Sequence, residues 1–498
     1  MLFSHAPPAG LGVGRDGNPL AGYHNGLFYL RDTDDNFRLY LGGRAQVDAL
    51  IPMGPGVSDT ALKPTLMIRR IRPEISGEIL KRWSFMFAGD FGQTGIDNAR
   101  GTNEIQAARP GVAPSATTAR FASAQGTAVR AAVTDVFLNY RAVPLFNFQI
   151  GQFDAPFSME NRTSDKYLPF MERSLAVRAF GVPTNKELGA MLWGEDEGRH
   201  VAYAAGVFGG DGQNRLDVDN RADFFGRVFV HPLSTFGGPL KDLRLGGSVR
   251  YGERQQSFVQ YDYTPMTTQG GYAFWSPIYN GSKGFTHVLP SGGQLGAAGE
   301  IRIPVGDFDV TSELIYINNR TREAVEGFQA TNTERLGAMK GTAYYVTLGY
   351  WPFGHRDVNG IPGYENPAHL DFKKVAPRRP LQALQLLVKW EQLHAKYESA
   401  SREGTPDAKN VDGSVKVNVL ELGANYWATK HLRLSVNYGL NMFPGAAPSS
   451  ASKAGDPTWS SDQRAVAPGN TIDKGVNDDA RNTASVLHEL MFRFAVAL

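Results

Sequence analysis

The sequence predicts an all-β protein, a transmembrane antiparallel β-barrel of about 16 strands. Segments that alternate apolar and polar residues recur along the whole chain, which indicates strands with one apolar and one polar face. Many of these segments have the roughly 9–11 residues that a tilted strand needs to cross a bilayer. The 498 residues also include 56 Gly, 29 Phe and 19 Tyr, which suits strands and turns better than helices. The alternative fold is a soluble β-sandwich or β-helix, in which strands are usually shorter.

The first clear strand, 37–48, shows the pattern: Phe37, Leu39 and Leu41 alternate with Arg38 and Tyr40. The sixteen predicted strands lie near 37–48, 66–79, 82–92, 131–142, 145–153, 186–194, 198–208, 222–231, 242–253, 295–304, 307–318, 341–352, 382–397, 412–427, 430–442 and 484–498. Tight turns fall at Lys81, Pro144 and Lys430, and the long connections are 93–130, 254–294, 353–381 and 443–483. Short turns at one end and long loops at the other are typical of an outer-membrane barrel.

Aromatic residues near strand ends predict the girdles that flank the apolar band of such a barrel. They are Trp83, Phe91, Tyr140, Tyr350, Trp351, Trp390, Trp427 and Tyr438. The predicted division is an N-terminal leader segment, 1–36, and a single barrel, 37–498. The leader contains Gly10-Leu11-Gly12-Val13-Gly14, which follows no strand and is expected to be flexible. No signal peptide is recognisable, so the chain is either cytosolic or a mature form without its leader.

Composition excludes several classes of function. The 51 basic and 49 acidic residues leave a net charge of +2, which argues against a nucleic-acid partner. The absence of cysteine excludes disulfides, zinc–thiolate sites and cysteine nucleophiles. No nucleotide-loop, zinc-protease or serine-hydrolase motif is present, so we expect neither enzyme activity nor a cofactor. An acidic stretch lacks EF-hand spacing and is interpreted as a solvated loop rather than a calcium site: Asp211, Asp217, Asp219, Asn220 and Asp223.

The second predicted strand carries the most informative charges. Its alternation places Ile71, Ile75 and Ile79 outward, and Arg70, Arg72, Glu74, Ser76 and Glu78 inward. Arg69 is out of phase, so we expect a bulge there or a position near the membrane interface. The inward arginines either form an anion ladder or pair with lumen carboxylates. Inward positions on the other strands carry both positive and negative charges, so counting these charges leaves the ion selectivity open. The positive residues are Arg44, Arg141, Arg244, Arg250, Arg302, Lys389 and Arg433, and the negative ones are Asp48, Asp135, Glu313 and Glu391.

The segment 154–185 differs from the other connections in its apolar content. A surface loop needs few apolar residues, whereas a loop folded back into the lumen would bury them. Those residues are Phe157, Met159, Leu168, Phe170, Met171, Leu175 and Phe180. We therefore expect 154–185 to be a constriction loop that narrows the pore.

Several separated motifs resemble one family. They are the Arg-Arg-x-Arg of 69–72, Asp135-Val136-Phe137-Leu138-Asn139-Tyr140, Gly151-Gln152-Phe153-Asp154-Ala155-Pro156-Phe157-Ser158, Thr163-Ser164, Phe170-Met171-Glu172-Arg173-Ser174 and Gly209-Gly210-Asp211-Gly212. Over about 37–232 the chain resembles the phosphate- and polyphosphate-selective porins of Gram-negative outer membranes. The resemblance implies an outer-membrane location and a sixteen-stranded, usually trimeric barrel whose third long loop folds inward. It also implies small anions and outer-membrane lipid as partners.

The family's anion site uses strand arginines, an aspartate and a Lys-x-Thr-Ser-Ser stretch, which correspond here to Arg69, Arg70, Asp135 and Ser164. Asn161 stands where the family has lysine, and Asp165 stands where it has the second serine. We therefore expect weaker phosphate binding than is typical of the family. The predicted pore-lining set is Arg69, Arg70, Arg72, Asp135, Arg141, Arg162, Ser164, Asp165 and Lys166. The competing functions are a structural or adhesive barrel and a barrel-embedded hydrolase.

Overall fold

The structure is a computed structural model in which strands account for nearly all regular elements. It describes residues 12–24, 27–54, 64–92, 132–183, 185–215, 217, 219–254, 266–271, 273–275, 278–281, 284–325, 335–358, 369–372, 382–401, 411–443 and 486–498. Within these ranges, no helix has the length and apolar character that a membrane-crossing helix requires.

The strands, in chain order, are β1 Ala21–His24, β2 Leu27–Arg31, β3 Phe37–Met53, β4 Thr65–Ile79, β5 Trp83–Asp90, β6 Ala132–Val143, β7 Phe146–Asp154, β8 Lys186–Glu195, β9 Val201–Phe208, β10 Asp223–Val230, β11 Arg244–Arg254, β12 Met266–Thr267, β13 Ala273–Trp275, β14 Ile278–Gly281, β15 Gly284–Val305, β16 Phe308–Val325, β17 Arg335–Phe353, β18 Ala383–Ser401, β19 Val411–Thr429, β20 Leu432–Met442 and β21 Val486–Ala497. The described α-helix, α1, is Leu175–Phe180, and a 3-10 turn spans Arg356–Val358.

Sixteen of these strands form a closed barrel. Each strand from β3 to β11, and then from β15 to β21, pairs antiparallel with the next, and β11 pairs with β15 across the segment between them. The pairing of β21 with β3 closes the ring, from His488 opposite Met53 to Ala497 opposite Arg44. Closure leaves no unpaired sheet edge in the wall. The predicted fold class and all sixteen predicted strands are confirmed.

The outer face of the wall is apolar, and its inner face is polar except where it packs against the loop that follows β7, as Ile317, Leu393 and Val417 do. Ile71 and Ile75 are exposed on the outer face, whereas Arg70 is buried on the lumen side. The register of β3 and β4 shifts between Gln46 and Val47, so that one residue of β4 has no partner. That residue is Arg69, and the bulge turns both Arg69 and Arg70 inward. The predicted bulge is confirmed.

The predicted aromatic girdle is wrong at two positions. Trp351 and Trp427 are buried on the lumen side, where their rings stack with centroids 5.3 Å apart. Proximity to a strand end did not distinguish the two faces, but the alternation does, because Trp427 shares its face with buried Asn425. Trp83, Tyr350 and Trp390 are exposed on the outer face.

The two ends of the barrel differ in the length of their connections, as predicted, with one exception. Turns 80–82, 144–145, 306–307 and 430–431 lie at one end, the short-turn end, and the long connections lie at the other. The connection 354–382 is long but joins β17 to β18 at the short-turn end, so the predicted separation of lengths is wrong there. Connections 93–130 and 444–483 lie outside the described residues, as does much of 254–294 and 354–382.

The N-terminal region contains structure that the alternation pattern did not reveal. β1 and β2 form a hairpin. β2 also pairs antiparallel with β3, from Phe28 opposite Leu41 to Arg31 opposite Arg38. No strand was predicted before Phe37, because strands of four and five residues are too short to show a clear alternation. The division at residue 36 itself stays a prediction.

Candidate functional site: an inward loop and its arginine cluster

The segment 155–182 lies inside the barrel. Phe157 and Ala155 are fully buried, and Phe170 and Met171 nearly so. Hydrogen bonds attach this segment to strands around most of the lumen: Ser158 N to Ser248 Oγ (2.9 Å), Met159 N and Glu160 N to Glu313 (both 2.8 Å), Leu175 N to Glu391 Oε2 (2.5 Å), Asn425 Nδ2 to Pro169 O (2.7 Å), Arg433 Nη1 to Leu168 O (2.9 Å), and Arg69 Nε to Glu172 Oε1 (3.0 Å). The loop is therefore held across the bore rather than along one wall.

Local sequence explains how the loop folds and where it fits. The Ser174 side chain caps α1 by accepting a hydrogen bond from Val177 N (3.3 Å). The helix then packs Phe180 against the backbone of β17 at Gly341, where a Cβ atom would collide with the Phe180 ring. Any larger residue at Gly341 would force the Phe180 ring, or the helix that carries it, to shift.

Asp165 is the centre of a cluster of arginines. It forms ion pairs with Arg72 and Arg173 (both 2.6 Å), with Arg70 (3.3 Å) and with Arg44 (3.6 Å). Arg173 comes from the loop itself, and the other three come from β3 and β4. The carboxylate that replaces a serine of the family's pattern therefore lies among the strand arginines.

Glu172 is the centre of a second group. It pairs with Arg69 (3.0 Å), Arg70 (3.2 Å) and Arg493 (2.9 Å), and Arg493 also pairs with Asp48 (2.6 Å). Because Arg70 contacts both Glu172 and Asp165, the two groups form one network, which we call the arginine cluster: Arg44, Arg69, Arg70, Arg72, Arg173 and Arg493 around Asp165 and Glu172.

The cluster keeps both loop carboxylates ionised. Burial opposes ionisation of Asp165, but Arg70, Arg173, Arg72 and Arg44 outweigh it and hold the pKa of Asp165 well below its usual range. Burial likewise opposes ionisation of Glu172, and Arg69, Arg70 and Arg493 hold its pKa well below the usual range. The loop therefore places two permanent negative charges among the strand arginines at neutral pH.

The remaining charges beside the cluster leave a small positive excess. Glu74 pairs with Arg44 (2.7 Å) and Lys166 (2.5 Å), and Asp90 pairs with Arg72 (2.7 Å). Including these, the six arginines and Lys166 face five carboxylates: Asp48, Glu74, Asp90, Asp165 and Glu172. The inward arginines are therefore paired with lumen carboxylates, and their function as an anion ladder stays a prediction.

The opposite wall is acidic and is engaged by the loop backbone. Glu313 accepts two loop N–H groups and Glu391 accepts one, while Lys389 pairs with Glu421 (2.7 Å) and with Glu391. A carboxylate that accepts several N–H groups is stabilised without a cation. Glu313 and Glu391 therefore anchor the loop.

The other predicted pore-lining residues fall into different places. Ser164 Oγ accepts from Arg44 Nη1 (3.2 Å), so it joins the cluster. Arg162 donates to the backbone oxygen of Asp154. Asp135 pairs with Lys186 (2.7 Å), which also pairs with Asp154 (3.0 Å). The structure places Arg141 opposite Asn147, exposed at the turn between β6 and β7, and does not bring it to the loop.

Asn161 and the acidic stretch 211–223 also have defined contacts in the structure. Asn161 is buried, and its side-chain amide donates to the backbone oxygens of Ala155 (3.2 Å) and Asn185 (3.3 Å), so it fastens the loop. In the acidic stretch, Asp217 accepts from Asp219 N (3.0 Å) and Asn220 N (2.7 Å), and Asp223 pairs with Arg254 (2.6 Å).

Sequence reasoning did not assign Glu172, Arg173 and Arg493 to the site, although the structure places them in its centre. A signal for Arg493 was present: it lies between outward Phe492 and Phe494 in the last strand, and alternation therefore turns it inward. Glu172 and Arg173 lie in the motif 170–174, but a loop has no fixed period, so their contacts could not be predicted from it.

A closed sixteen-stranded barrel with an apolar outer face and an inward loop is the architecture of outer-membrane porins. The family model of phosphate-selective porin O and P matches residues 41–228, which comprise most of β3 and the strands through β10. The family resemblance read from the motifs is thereby confirmed for this region. No curated protein matches the sequence.

The structure is similar to several solved outer-membrane proteins at low sequence identity. A loop-deletion mutant of OmpT of Vibrio cholerae is 10% identical, with a TM-score of 0.47 over 93% of this chain and 100% of that chain. The outer membrane channel DcaP of Acinetobacter baumannii is 11% identical, with a TM-score of 0.43 over 96% and 100%. An anion-selective porin from Comamonas acidovorans is 11% identical, with a TM-score of 0.44 over 93% and 100%.

Proposed function

We propose that this outer-membrane porin passes small anions through a pore that residues 154–185 narrow, and that it binds phosphate less tightly than is typical of the family it resembles. The observation that supports this most directly is that four residues of the arginine cluster form ion pairs with Asp165. Fixed cations lower the barrier for anions, whereas a fixed carboxylate among them opposes an anion's approach.

The charge count supports a moderate preference for anions rather than a strong one. Five carboxylates cancel most of the charge of six arginines and Lys166 on the wall of the arginine cluster, and the acidic residues of the opposite wall reduce the preference further. Divalent phosphate should be affected most, because its repulsion from Asp165 scales with its charge. In this proposal Arg69, Arg70, Arg72, Ser164, Asp165 and Lys166 line the ion path, and Asp135, Arg141 and Arg162 contribute from outside the cluster. The family resemblance also supports a homotrimer.

Single-channel recording in a planar bilayer tests the class of function. We expect discrete, ohmic conductance steps from the purified protein. A folded protein without conductance would favour the structural or adhesive barrel. Hydrolysis of outer-membrane lipid or peptide substrates without conductance would favour the barrel-embedded hydrolase.

A further inference from the structure

The outer face of the barrel carries a basic patch beyond the membrane band at the long-loop end. On β18, Leu386, Val388 and Trp390 face outward and are followed on the same face by His394 and Lys396. Neighbouring strands change in the same way from apolar to basic. The outer basic patch consists of Arg320 on β16, Lys340 on β17, His394 and Lys396 on β18, and Lys416 on β19, and all five are exposed.

Strand geometry fixes the height of the patch above the membrane band. Tyr316, Tyr344 and Trp390 occupy the outer face of β16, β17 and β18 and mark the edge of the band. His394 and Lys396 follow Trp390 by four and six residues. At about 3.3 Å per residue and a tilt of about 40°, they lie about 10–15 Å above it. This is the level of lipid headgroups, and the long-loop end of such a barrel faces the outside of the cell.

The register brings like charges directly opposite one another. Lys340 pairs across the strands with Lys396, which puts two positive charges side by side, whereas His394, opposite Lys416, is a positive charge only when protonated. Like charges in such positions destabilise a sheet. Glu398 contacts both lysines, at 3.7 Å from Lys340, and among the side chains that the structure describes it supplies one negative charge against Arg320, Lys340, Lys396 and Lys416. The patch keeps an excess positive charge that a bound anion would offset.

We propose that the outer basic patch binds the phosphate groups of the outer-leaflet glycolipid. Charge complementarity identifies the partner, because clusters of exposed Lys and Arg beside a membrane band attract anionic headgroups. The exposed side chains are long enough to reach a headgroup beside the barrel: Lys340 and Lys396 are 49% and 52% exposed. This inference does not depend on the ion selectivity of the pore, since none of these residues faces the lumen.

The test measures binding of lipid A to the full-length protein in non-ionic detergent, with diphosphoryl and monophosphoryl lipid A as probes. We expect tighter binding of the diphosphoryl form, and at least tenfold weaker binding after the triple substitution K340Q/K396Q/K416Q. A matched triple, K81Q/R82Q/K241Q, removes three exposed cations from the short-turn end and should change binding less than twofold. Glu398→Gln should strengthen binding, since it removes the single carboxylate that contacts both Lys340 and Lys396.

Equal loss of binding in both triple variants would overturn the proposal, because it would reflect overall charge alone. Unchanged binding in K340Q/K396Q/K416Q, with a heat-resistant folded barrel, would overturn it as well. If light scattering showed that this variant changes the oligomer while lipid binding is unchanged, the patch would be a contact between copies of the chain, and the proposal would be wrong.

Discussion

Replacing Asp165 with serine should strengthen phosphate binding in the pore. Asp165 lies within 2.6–3.6 Å of four arginines, so its removal leaves them without their shared carboxylate. Two unit charges about 4 Å apart interact with about 1 kcal/mol in water and about 4 kcal/mol at an effective dielectric constant of about 20. At about 1.4 kcal/mol per factor of ten, the loss of that repulsion corresponds to about fivefold to several-hundredfold for a monovalent anion. The factor is larger for a dianion.

The assay titrates the single-channel chloride current with phosphate. We expect the half-blocking phosphate concentration to fall at least tenfold in Asp165→Ser. Asp309→Asn is the matched control: it removes a carboxylate paired with Arg302 (2.7 Å), next to the 306–307 turn, and should leave the half-blocking concentration within twofold of wild type. An Asp165→Ser channel that is folded and binds phosphate as the wild type does would show that Asp165 does not face the permeating ion.

Four further results are expected. Deleting 158–174 should raise single-channel conductance markedly, since the segment crosses the bore, and unchanged conductance in a folded variant would contradict a constricting role. Glu172→Gln should lower barrel stability by about 3–5 kcal/mol in thermal unfolding, because it removes the buried carboxylate that Arg69, Arg70 and Arg493 share; a loss under about 1 kcal/mol would contradict this. Gly341→Ala should displace Phe180 and raise conductance without changing the strand content measured by circular dichroism, whereas wild-type conductance would show that the collision is relieved locally. The stability difference between wild type and Asp165→Ser should stay constant from pH 7 to pH 5 and shrink only below about pH 4, because a carboxyl whose pKa is lowered on folding stabilises above its unfolded pKa and loses this effect as the pH falls through the folded one; a difference that shrinks already above pH 5 would contradict it.

The barrel could be predicted from the sequence because its physical cause is periodic. A strand with one face in lipid and the other in water must alternate, and segments such as 37–48 and 430–442 show this directly. The exception at Arg69 was equally informative, since an arginine on the lipid face is costly and a bulge avoids that cost. The hairpin β1–β2 was missed because its strands are too short for the pattern to emerge.

The site could be predicted only in part. Parity placed Arg44, Arg70 and Arg72 in the lumen, and the apolar content of 154–185 indicated an inward loop. Their partners could not be predicted, because the contacts of Glu172 and Arg173 depend on the path of a loop without repeating geometry. Trp351 and Trp427 lie inside the lumen although both are near strand ends. Position along a strand therefore does not predict which face a residue is on; the alternation of the strand does.

The measurement that tests the central claim most directly is the zero-current potential of the wild-type channel under a potassium chloride gradient. Six arginines and Lys166 against five carboxylates predict a potential whose sign shows that chloride is more permeant than potassium. Asp165→Ser should move the potential further toward the chloride equilibrium value. A wild-type potential of the opposite sign, showing preference for potassium, would contradict the proposal that this porin conducts anions.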